Sequence, residues 1–268
     1  MFDVKDKVFL ITGAASGIGA GVTRAVLDRG AKNVAVLDLN KQAGEAFVTE
    51  LNTKYGGNKV IFIKCDVCND LEAAFAETVK QLGYIDCVIN NAGLMNDHPD
   101  VYEKEMLVNV SSLIKGSLTA YKLMRKDRDG RGGTIINISS IVALVQTPLL
   151  PVYSATKSAV LQFSNCLGME QNYSRSGVRV IAICFGITDT NLIRGRIGCI
   201  DEETEERMLI ALKKFPAQCV DSAVSGLIAA YENGDSGSTW LITTNRPALD
   251  ITNNVKKAFE ILGQGVFD

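Results

Sequence analysis

Short apolar segments alternate with longer, helix-like segments along almost the whole chain, and this alternation restricts the fold more than any other feature. Seven short segments are predicted to be strands, at 8–11, 34–37, 60–63, 87–89, 134–138, 178–183 and 238–242. Strands that are apolar throughout, rather than at every second residue, are typical of a parallel sheet covered on both faces. The sequence therefore predicts the α/β class, with a doubly wound Rossmann fold and a seven-stranded parallel sheet flanked by helices on both faces.

The segments between these strands have the length and apolar spacing of helices. Helices are predicted over 17–29, 41–54, 69–82, 102–126 and 153–172, with one or two more over 202–232. No linker, internal repeat or low-complexity stretch interrupts the pattern, and a length of 268 residues suits one large α/β domain. We therefore expect a single domain over residues 1–268.

Charge and cysteine content exclude several classes of protein. The formal net charge of -2 argues against nucleic acid or an anionic membrane as a partner. No apolar run approaches the roughly 20 residues that span a bilayer, and the first strand begins too early for a signal peptide. The 7 cysteines lie mostly in apolar segments, as reduced thiols in the cytoplasm do. Cys65 and Cys68 have no second pair and His98 is the single histidine, so no metal site is expected.

A glycine-rich turn lies between the first strand and the first helix. Its sequence over 12–19 is TGAASGIG, in which glycine allows the tight turn and lets backbone N–H groups approach a pyrophosphate. A glycine triplet can also be a purely structural turn. The strand–turn–helix context favours cofactor binding, and the residues predicted to contact the cofactor here are Gly13, Ala15, Ser16, Gly17, Ile18 and Gly19.

Asp38 ends the second strand, 21 residues after Gly17. A carboxylate at this place can accept hydrogen bonds from the adenosine ribose and repel a 2′-phosphate. Leu39, which follows it, is neutral, so the sequence favours NAD over NADP as the cofactor. An N-cap of the second helix is the alternative role for Asp38 or for Asn40.

Tyr153 and Lys157 are four residues apart in a predicted helix and therefore share one helical face. A nearby ammonium is expected to lower the pKa of the tyrosine from its usual value of about 10, which would make the phenol a general base or acid. Ser140 ends the fifth strand thirteen residues earlier, where active-site groups of open α/β sheets collect. Ser139 and Ser140 could equally form a capping pair, and Asn109 could equally be a hydrogen-bonded buried amide.

Together these motifs resemble the classical short-chain dehydrogenases/reductases, from about residue 5 to 245. The segments 131–137, 151–153, 177–184 and 242–244 carry a further likeness to the 15-hydroxyprostaglandin dehydrogenase and insect alcohol dehydrogenase branches. The resemblance implies NAD as cofactor, a homodimer or homotetramer, and a secondary or allylic alcohol, or its carbonyl, with an apolar body as substrate.

The resemblance also implies roles for individual residues. Tyr153 transfers the proton, Ser140 orients the substrate oxygen, Lys157 holds the nicotinamide ribose and tunes the tyrosine, and Asn109 anchors a water in the proton relay. The interval between Ser140 and Tyr153 matches the insect branch, which favours Ser140 over Ser139. Further cofactor contacts are expected from Asp66, Val67, Asn90, Asn91, Ala92, Gly93, Gly186, Ile187 and Thr188.

The substrate region departs from the family pattern at two places. Phe185 replaces the usual proline before Gly186, and Leu150 replaces a polar residue of the prostaglandin-oxidising members. Residues 187–200, extending to about 215, are predicted to form a lid, and Leu150 and Leu192 are predicted to contact the substrate. Two other readings stay open: an inactive NAD-binding sensor or scaffold of the same fold, and a nucleotide-sugar epimerase.

Overall fold

The computed structural model describes residues 1–266. Its strands are β1 (Val8–Thr12), β2 (Asn33–Asp38), β3 (Val60–Lys64), β4 (Cys87–Asn90), β5 (Gly133–Ser140), β6 (Val178–Phe185), β7 (Ser238–Ile242) and β8 (Leu249–Asp250). Its helices are α1 (Gly17–Asp28), α2 (Lys41–Tyr55), α3 (Leu71–Leu82), α4 (Tyr102–Met106), α5 (Ser112–Met124), α6 (Pro151–Leu167), α7 (Glu170–Ser176), α8 (Glu202–Lys214), α9 (Val220–Asn233) and α10 (Thr252–Leu262). In residues 1–266, every helix is too short or too polar to cross a bilayer.

The strands form one sheet in the order β3-β2-β1-β4-β5-β6-β7-β8. The first seven run parallel, which confirms the doubly wound α/β prediction. The prediction of seven strands in all is wrong, because β8 adds an antiparallel edge to β7 through two residue pairs. Both residues of β8 are exposed, so this strand has no apolar run that the sequence could reveal.

Both faces of the sheet are buried, which explains the continuous apolar strands. Phe9 and Ile11 of β1 face the layer formed by α1 and α9, whereas Leu10 faces the layer formed by α3 and α5. Successive side chains of a strand point to opposite faces. Every position of β1 is therefore buried, and its sequence shows no alternation of apolar and polar residues.

Two predicted helices are interrupted. The one expected over 102–126 consists of α4, a π-helical turn (Leu107–Ser111) and α5. The one expected over 153–172 begins earlier, with Pro151 in its first turn, and ends at Leu167, and α7 follows. Proline is favoured in the first helical turn because its missing N–H is not needed there. Helix α10 was not predicted, and its residues are not buried.

Buried amides tie the strands to the helices that carry the site. The Nδ2 of Asn90 donates to Asn137 Oδ1 at 2.8 Å and to Ser117 Oγ at 3.0 Å. The Nδ2 of Asn137 donates to Ser164 Oγ of α6 at 3.0 Å. Because buried polar groups strongly favour being paired, these bonds fix α5 and α6 against β4 and β5.

Candidate active site

A cavity of about 1020 Å³ lies at the carboxyl edge of the parallel strands. This is the edge at which open α/β sheets bind ligands. Most of the predicted site residues line it: Gly13, Ser16, Gly17, Ile18, Asp38, Leu39, Asp66, Val67, Asn91, Ala92, Gly93, Ser140, Leu150, Tyr153, Lys157, Gly186, Ile187, Thr188 and Leu192. Ala15, Gly19, Asn90 and Asn109 do not line this cavity.

The glycine turn closes one end of the cavity. Gly13 and Gly17 have positive φ of 62° and 53°, a conformation that side chains disfavour. A Cβ on Gly13 would lie 2.9 Å from the Cα of Ala92, and one on Gly19 would collide with the carbonyl oxygen of Gly13. The turn is thus shaped by glycine and delivers the N-terminus of α1 to the cavity, where an anion is stabilised.

Thr12 links this turn to the loop after β4. Its Oγ1 accepts hydrogen bonds from the amides of Asn91 and Ala92, both at 3.0 Å. The side-chain amide of Asn91 donates to the carbonyls of Thr12 at 2.9 Å and Gly13 at 3.0 Å. Asn91, which also lines the cavity, therefore supports the glycine turn.

Asp38 bridges the glycine turn and the loop after β2. Its Oδ2 accepts from the Ala15 amide at 2.9 Å and its Oδ1 from the Asn40 amide at 2.9 Å. Asn40, not Asp38, caps α2, because its Oδ1 accepts from the Ala43 amide at 3.0 Å. The capping alternative thus belongs to Asn40, and the carboxylate of Asp38 stays on the cavity wall.

Asp66 and Val67, which are predicted to contact the cofactor, line the same cavity. The Oδ1 of Asp66 accepts from the Cys68 amide at 3.0 Å, which shapes this turn. Burial raises the pKa of the Cys65 thiol to about 12 and also raises the pKa of Cys68, so both are protonated thiols at neutral pH. Within residues 1–266, no three acidic, histidine or cysteine side chains are grouped as metal ligands.

Ser140 and Tyr153 meet at the centre of the cavity. The hydroxyl of Ser140 lies beside Tyr153 and opposes the rise in the pKa of its phenol, and it donates to the Phe185 carbonyl oxygen at 3.5 Å. Ser139 points the other way, where its Oγ donates to the Lys157 carbonyl oxygen at 2.8 Å. Of the two serines, Ser140 is thus the one that faces the tyrosine.

Burial dominates the titration of the tyrosine and the lysine. It raises the pKa of Tyr153, and the Glu105 carboxylate raises it further, while the Ser140 hydroxyl opposes both. Burial lowers the pKa of Lys157 to about 8. The Lys157 Nζ lies 5.5 Å from the Tyr153 ring centroid and donates to the Ile138 carbonyl oxygen at 3.0 Å. The expected lowering of the tyrosine pKa by Lys157 is therefore not produced by the protein groups alone.

Asn109 lies in the π-helical turn, and both ends of its side-chain amide form hydrogen bonds. Its Oδ1 accepts from the Leu94 amide at 2.8 Å, and its Nδ2 donates to the Leu94 carbonyl at 2.7 Å and to Thr156 Oγ1 at 3.1 Å. This is the hydrogen-bonded buried amide that the sequence left open. A role for Asn109 in proton relay stays a prediction.

The other end of the cavity is apolar. Leu150 is buried in a cluster with Met95, Tyr153, Ile197, Cys199 and Met208. Leu192 is 41% exposed at the rim, in a short 3-10 turn (Asn191–Ile193). Phe185 continues β6 between Ser140 and Ile242, with its side chain in the core and on the cavity wall. Phe185, in place of the usual proline, is thus the last residue of β6, directly before Gly186.

Three acidic residues near the site were missed by sequence reasoning. Asp97 and Glu105 are almost completely buried beside α6, and Glu205 is buried under the segment 197–199. The sequence holds one signal for them: Glu105 is four residues before Asn109, on the buried face of the same helical segment. Asp97 lies in a loop, and Glu205 lies in a strongly acidic helix. Acidic residues are common in both settings, so the sequence does not distinguish these two.

The chain resembles known proteins over most of its length. A family model described as short chain dehydrogenase matches residues 7–196. The rat protein 15-hydroxyprostaglandin dehydrogenase (NAD+) is 35% identical over 252 residues, which cover 91% of this chain and 93% of the rat protein. Alcohol dehydrogenase 1 of Ceratitis cosyra is 34% identical over 192 residues, covering 70% of this chain and 73% of that enzyme.

Solved structures show the same fold. A short-chain type dehydrogenase/reductase from Mycobacterium marinum superposes with a TM-score of 0.76 at 24% identity, covering 90% of this chain and 96% of that one. The family predicted from the glycine turn, Asp38, Ser140, Tyr153 and Lys157 is confirmed by the family model and the curated relatives. The chain belongs to the short-chain dehydrogenase family of oxidoreductases.

Proposed function

We propose that this protein transfers a hydride between NAD(H) and a secondary or allylic alcohol, or the corresponding carbonyl, whose body is apolar. The pair formed by Ser140 and Tyr153 on the cavity wall carries the proposal. It lies between the glycine turn at one end of the cavity and an apolar chamber at the other. A dinucleotide and a small alcohol would meet at these two hydroxyls.

The residues present fit a dinucleotide. The N-terminus of α1, shaped by Gly13 and Gly17, would hold the pyrophosphate, and Asp38 would accept hydrogen bonds from the adenosine ribose. The carboxylate of Asp38 favours NAD over NADP because it would repel a 2′-phosphate. The printed name of the rat relative also specifies NAD+. When bound, NAD+ supplies the acceptor for the hydride and a positive charge that favours a phenolate.

The side chains supply the proton chemistry. During oxidation, Tyr153 takes the proton from the substrate hydroxyl as the carbon–oxygen double bond forms and the hydride leaves that carbon. During reduction, the same phenol returns the proton to the carbonyl oxygen. Ser140 hydrogen-bonds that oxygen, and Lys157, held by Ile138, stabilises the phenolate.

The apolar chamber supports a substrate with an apolar body. Leu150, Met95 and Met208 surround the space beside Tyr153, and such a surface binds hydrocarbon rather than charged groups. The rat and fly relatives are named for a hydroxyprostaglandin and for alcohols. Leu150 makes prostaglandin itself the less favoured of these substrate classes.

The domain organisation, the cellular location and the oligomeric state belong to the same proposal. We infer one domain, a lid that covers the substrate over about 187–215, a cytoplasmic location, and a homodimer or homotetramer. The exposed apolar side chains of Leu118 and Leu123 on α5 support an interface between copies. A monomeric mass in light scattering would contradict the oligomer.

A screen of alcohols with NAD+ tests the function. Farnesol, simple secondary alcohols, steroids and prostaglandins are offered with NAD+, and NADH formation is followed by its absorbance. We expect turnover of at least one neutral, apolar alcohol. If NAD+ binds and no alcohol or carbonyl reacts, the protein is the inactive sensor or scaffold that the same fold allows.

A further inference from the structure

Two buried carboxyl groups lie behind the catalytic helix α6. Asp97, in the loop after β4, is 1% exposed, and Glu105, in α4, is 0% exposed. The Oδ2 of Asp97 accepts from the Val152 amide at 2.6 Å and its Oδ1 from the Tyr153 amide at 3.0 Å. These amides belong to the first turn of α6, which has no partner for them inside the helix. Asp97 thus holds the turn that carries the tyrosine.

Glu105 is the neighbouring group that positions Asp97. Both carboxyl groups are buried and each shifts the pKa of the other, so the pair favours a single shared proton. The Oε2 of Glu105 accepts from the Asn96 amide at 3.3 Å, and its Oε1 lies 3.4 Å from Asn109 Nδ2. The positive end of α6 favours the negative charge on Asp97, so the proton resides on Glu105.

The titratable groups around Glu105 come from three elements. Asp97 in the loop raises its pKa, whereas the Lys157 ammonium of α6 lowers it. Tyr153 of α6 and Cys199 of the lid segment face the same pair. Burial and Asp97 together raise the pKa of Glu105 to about 8. Loss of its proton would leave two adjacent buried negative charges and disfavour the phenolate form of Tyr153.

We propose that Glu105 and Asp97 are positioning residues for Tyr153: Glu105 donates its carboxyl proton to Asp97, and Asp97 anchors the first turn of the catalytic helix. The proposal rests on Tyr153 being the proton-transferring group. It adds a pair of residues that fix the position of the Tyr153 side chain and the pH range over which that position is kept.

Three variants separate this role from simple packing. Glu105→Gln keeps an N–H donor toward Asp97 and cannot ionise, Glu105→Ala removes the donor, and Glu103→Gln changes an exposed acid of the same helix as the control. With an alcohol from the screen, we expect Glu105→Ala to lower kcat by about tenfold to a hundredfold, as a displaced catalytic group does. We expect Glu105→Gln to restore most of kcat at neutral pH. Circular dichroism verifies that each variant is folded.

A spectroscopic titration makes the test independent of turnover. The protein is labelled with ¹³Cζ-tyrosine, and the Tyr153 signal, assigned with Tyr153→Phe, is followed as the pH is raised. We expect a step near the pKa of Glu105, about 8, in the wild type and in Glu103→Gln. The step should be absent in Glu105→Gln.

Each outcome decides one of the two claims. If the step persists in Glu105→Gln, or if Glu105→Ala has the kcat and the tyrosine signal of Glu105→Gln, the positioning pair is overturned. If no alcohol reacts but the step disappears in Glu105→Gln, the proposed function fails while the coupling between Glu105 and Tyr153 stands.

Discussion

The Nζ of Lys157 donates a hydrogen bond to the carbonyl oxygen of Ile138 at 3.0 Å. A second bond joins the same two elements, from Ser139 Oγ to the Lys157 carbonyl at 2.8 Å. Because both bonds cross from β5 to α6, they fix the helix against the end of the strand. Ser140, the next residue of the strand, therefore faces Tyr153, one helical turn before the lysine.

Tyr153→Phe removes the phenolic oxygen and leaves the ring in its apolar cluster. We expect kcat to fall by roughly 10²–10⁴-fold, the range for loss of a general acid or base. NADH binding, measured by fluorescence, should change little, because the glycine turn and Asp38 are untouched. Tyr102→Phe, at a side chain that is 41% exposed, is the control and should keep wild-type activity.

The adjacent serines should respond differently. Ser140→Ala removes the hydroxyl that contacts Tyr153, and we expect kcat/KM to fall by about a hundredfold. Ser139→Ala removes a bond to the backbone of α6, so its main effect should be on thermal stability, with most activity kept. Steady-state kinetics and thermal melts distinguish these outcomes. An inactive Ser139→Ala beside an active Ser140→Ala would reverse the assignment.

Asp38→Ala should change the choice of cofactor. It removes the negative charge that repels a 2′-phosphate, so NADP use should rise relative to NAD. The comparison is the ratio of kcat/KM for the two cofactors. Part of the loss with NAD will reflect the bonds from the Ala15 and Asn40 amides to Asp38, of which the single acceptor oxygen in Asp38→Asn can keep one. An unchanged preference in both variants would defeat the role of Asp38.

Glu205 fixes the segment 197–199, which belongs to the predicted lid, to α8. Its carboxylate accepts from the amides of Ile197 at 2.7 Å, Gly198 at 2.8 Å and Cys199 at 2.9 Å. Burial alone would raise the pKa of Glu205, but these donors outweigh it and lower the pKa. Glu205→Ala should raise KM for the alcohol more than it changes kcat, and destabilise the protein by about 1–3 kcal/mol.

The matched control for the lid is Glu203→Ala, at an exposed position of the same helix. It should leave KM and the unfolding free energy at wild-type values. KM for NAD should also stay constant in Glu205→Ala, because the glycine turn lies at the far end of the cavity. A KM for NAD that rises together with KM for the alcohol would show general disruption instead.

Stability should depend on pH through Glu105. The pKa of this carboxyl is raised from 4.5 to about 8 in the folded protein. Between these values the folded state binds a proton that the unfolded chain releases, so the unfolding free energy falls as pH rises. Urea titrations should show this fall in the wild type and in Glu103→Gln. Glu105→Gln should show a smaller slope, and an equal slope would contradict the raised pKa.

The contributions of sequence and tertiary structure differ from residue to residue. The strands of the parallel sheet could be predicted because burial on both faces requires continuous apolar residues. The glycine turn at the edge of the sheet could be predicted because its backbone geometry requires glycine. The two-residue β8 could not, since both of its residues are exposed, and helix α10 was missed although Val255, Phe259 and Leu262 have helical spacing. The break at Gly168 was hidden because the segments on both sides of it are helical.

By itself, the sequence determined the family, the sheet, and the identities of Tyr153, Lys157 and Asp38, because each depends on residue type and spacing along the chain. Only the tertiary structure decided which serine faces the tyrosine, which residue caps α2, and where the buried acids lie. Asp97, Glu105 and Glu205 acquire their partners from segments that are distant in sequence or held in loops. Burial raises the pKa values of Asp97 and Glu105, and backbone donors lower that of Glu205. Both effects are properties of the folded surroundings rather than of the residue.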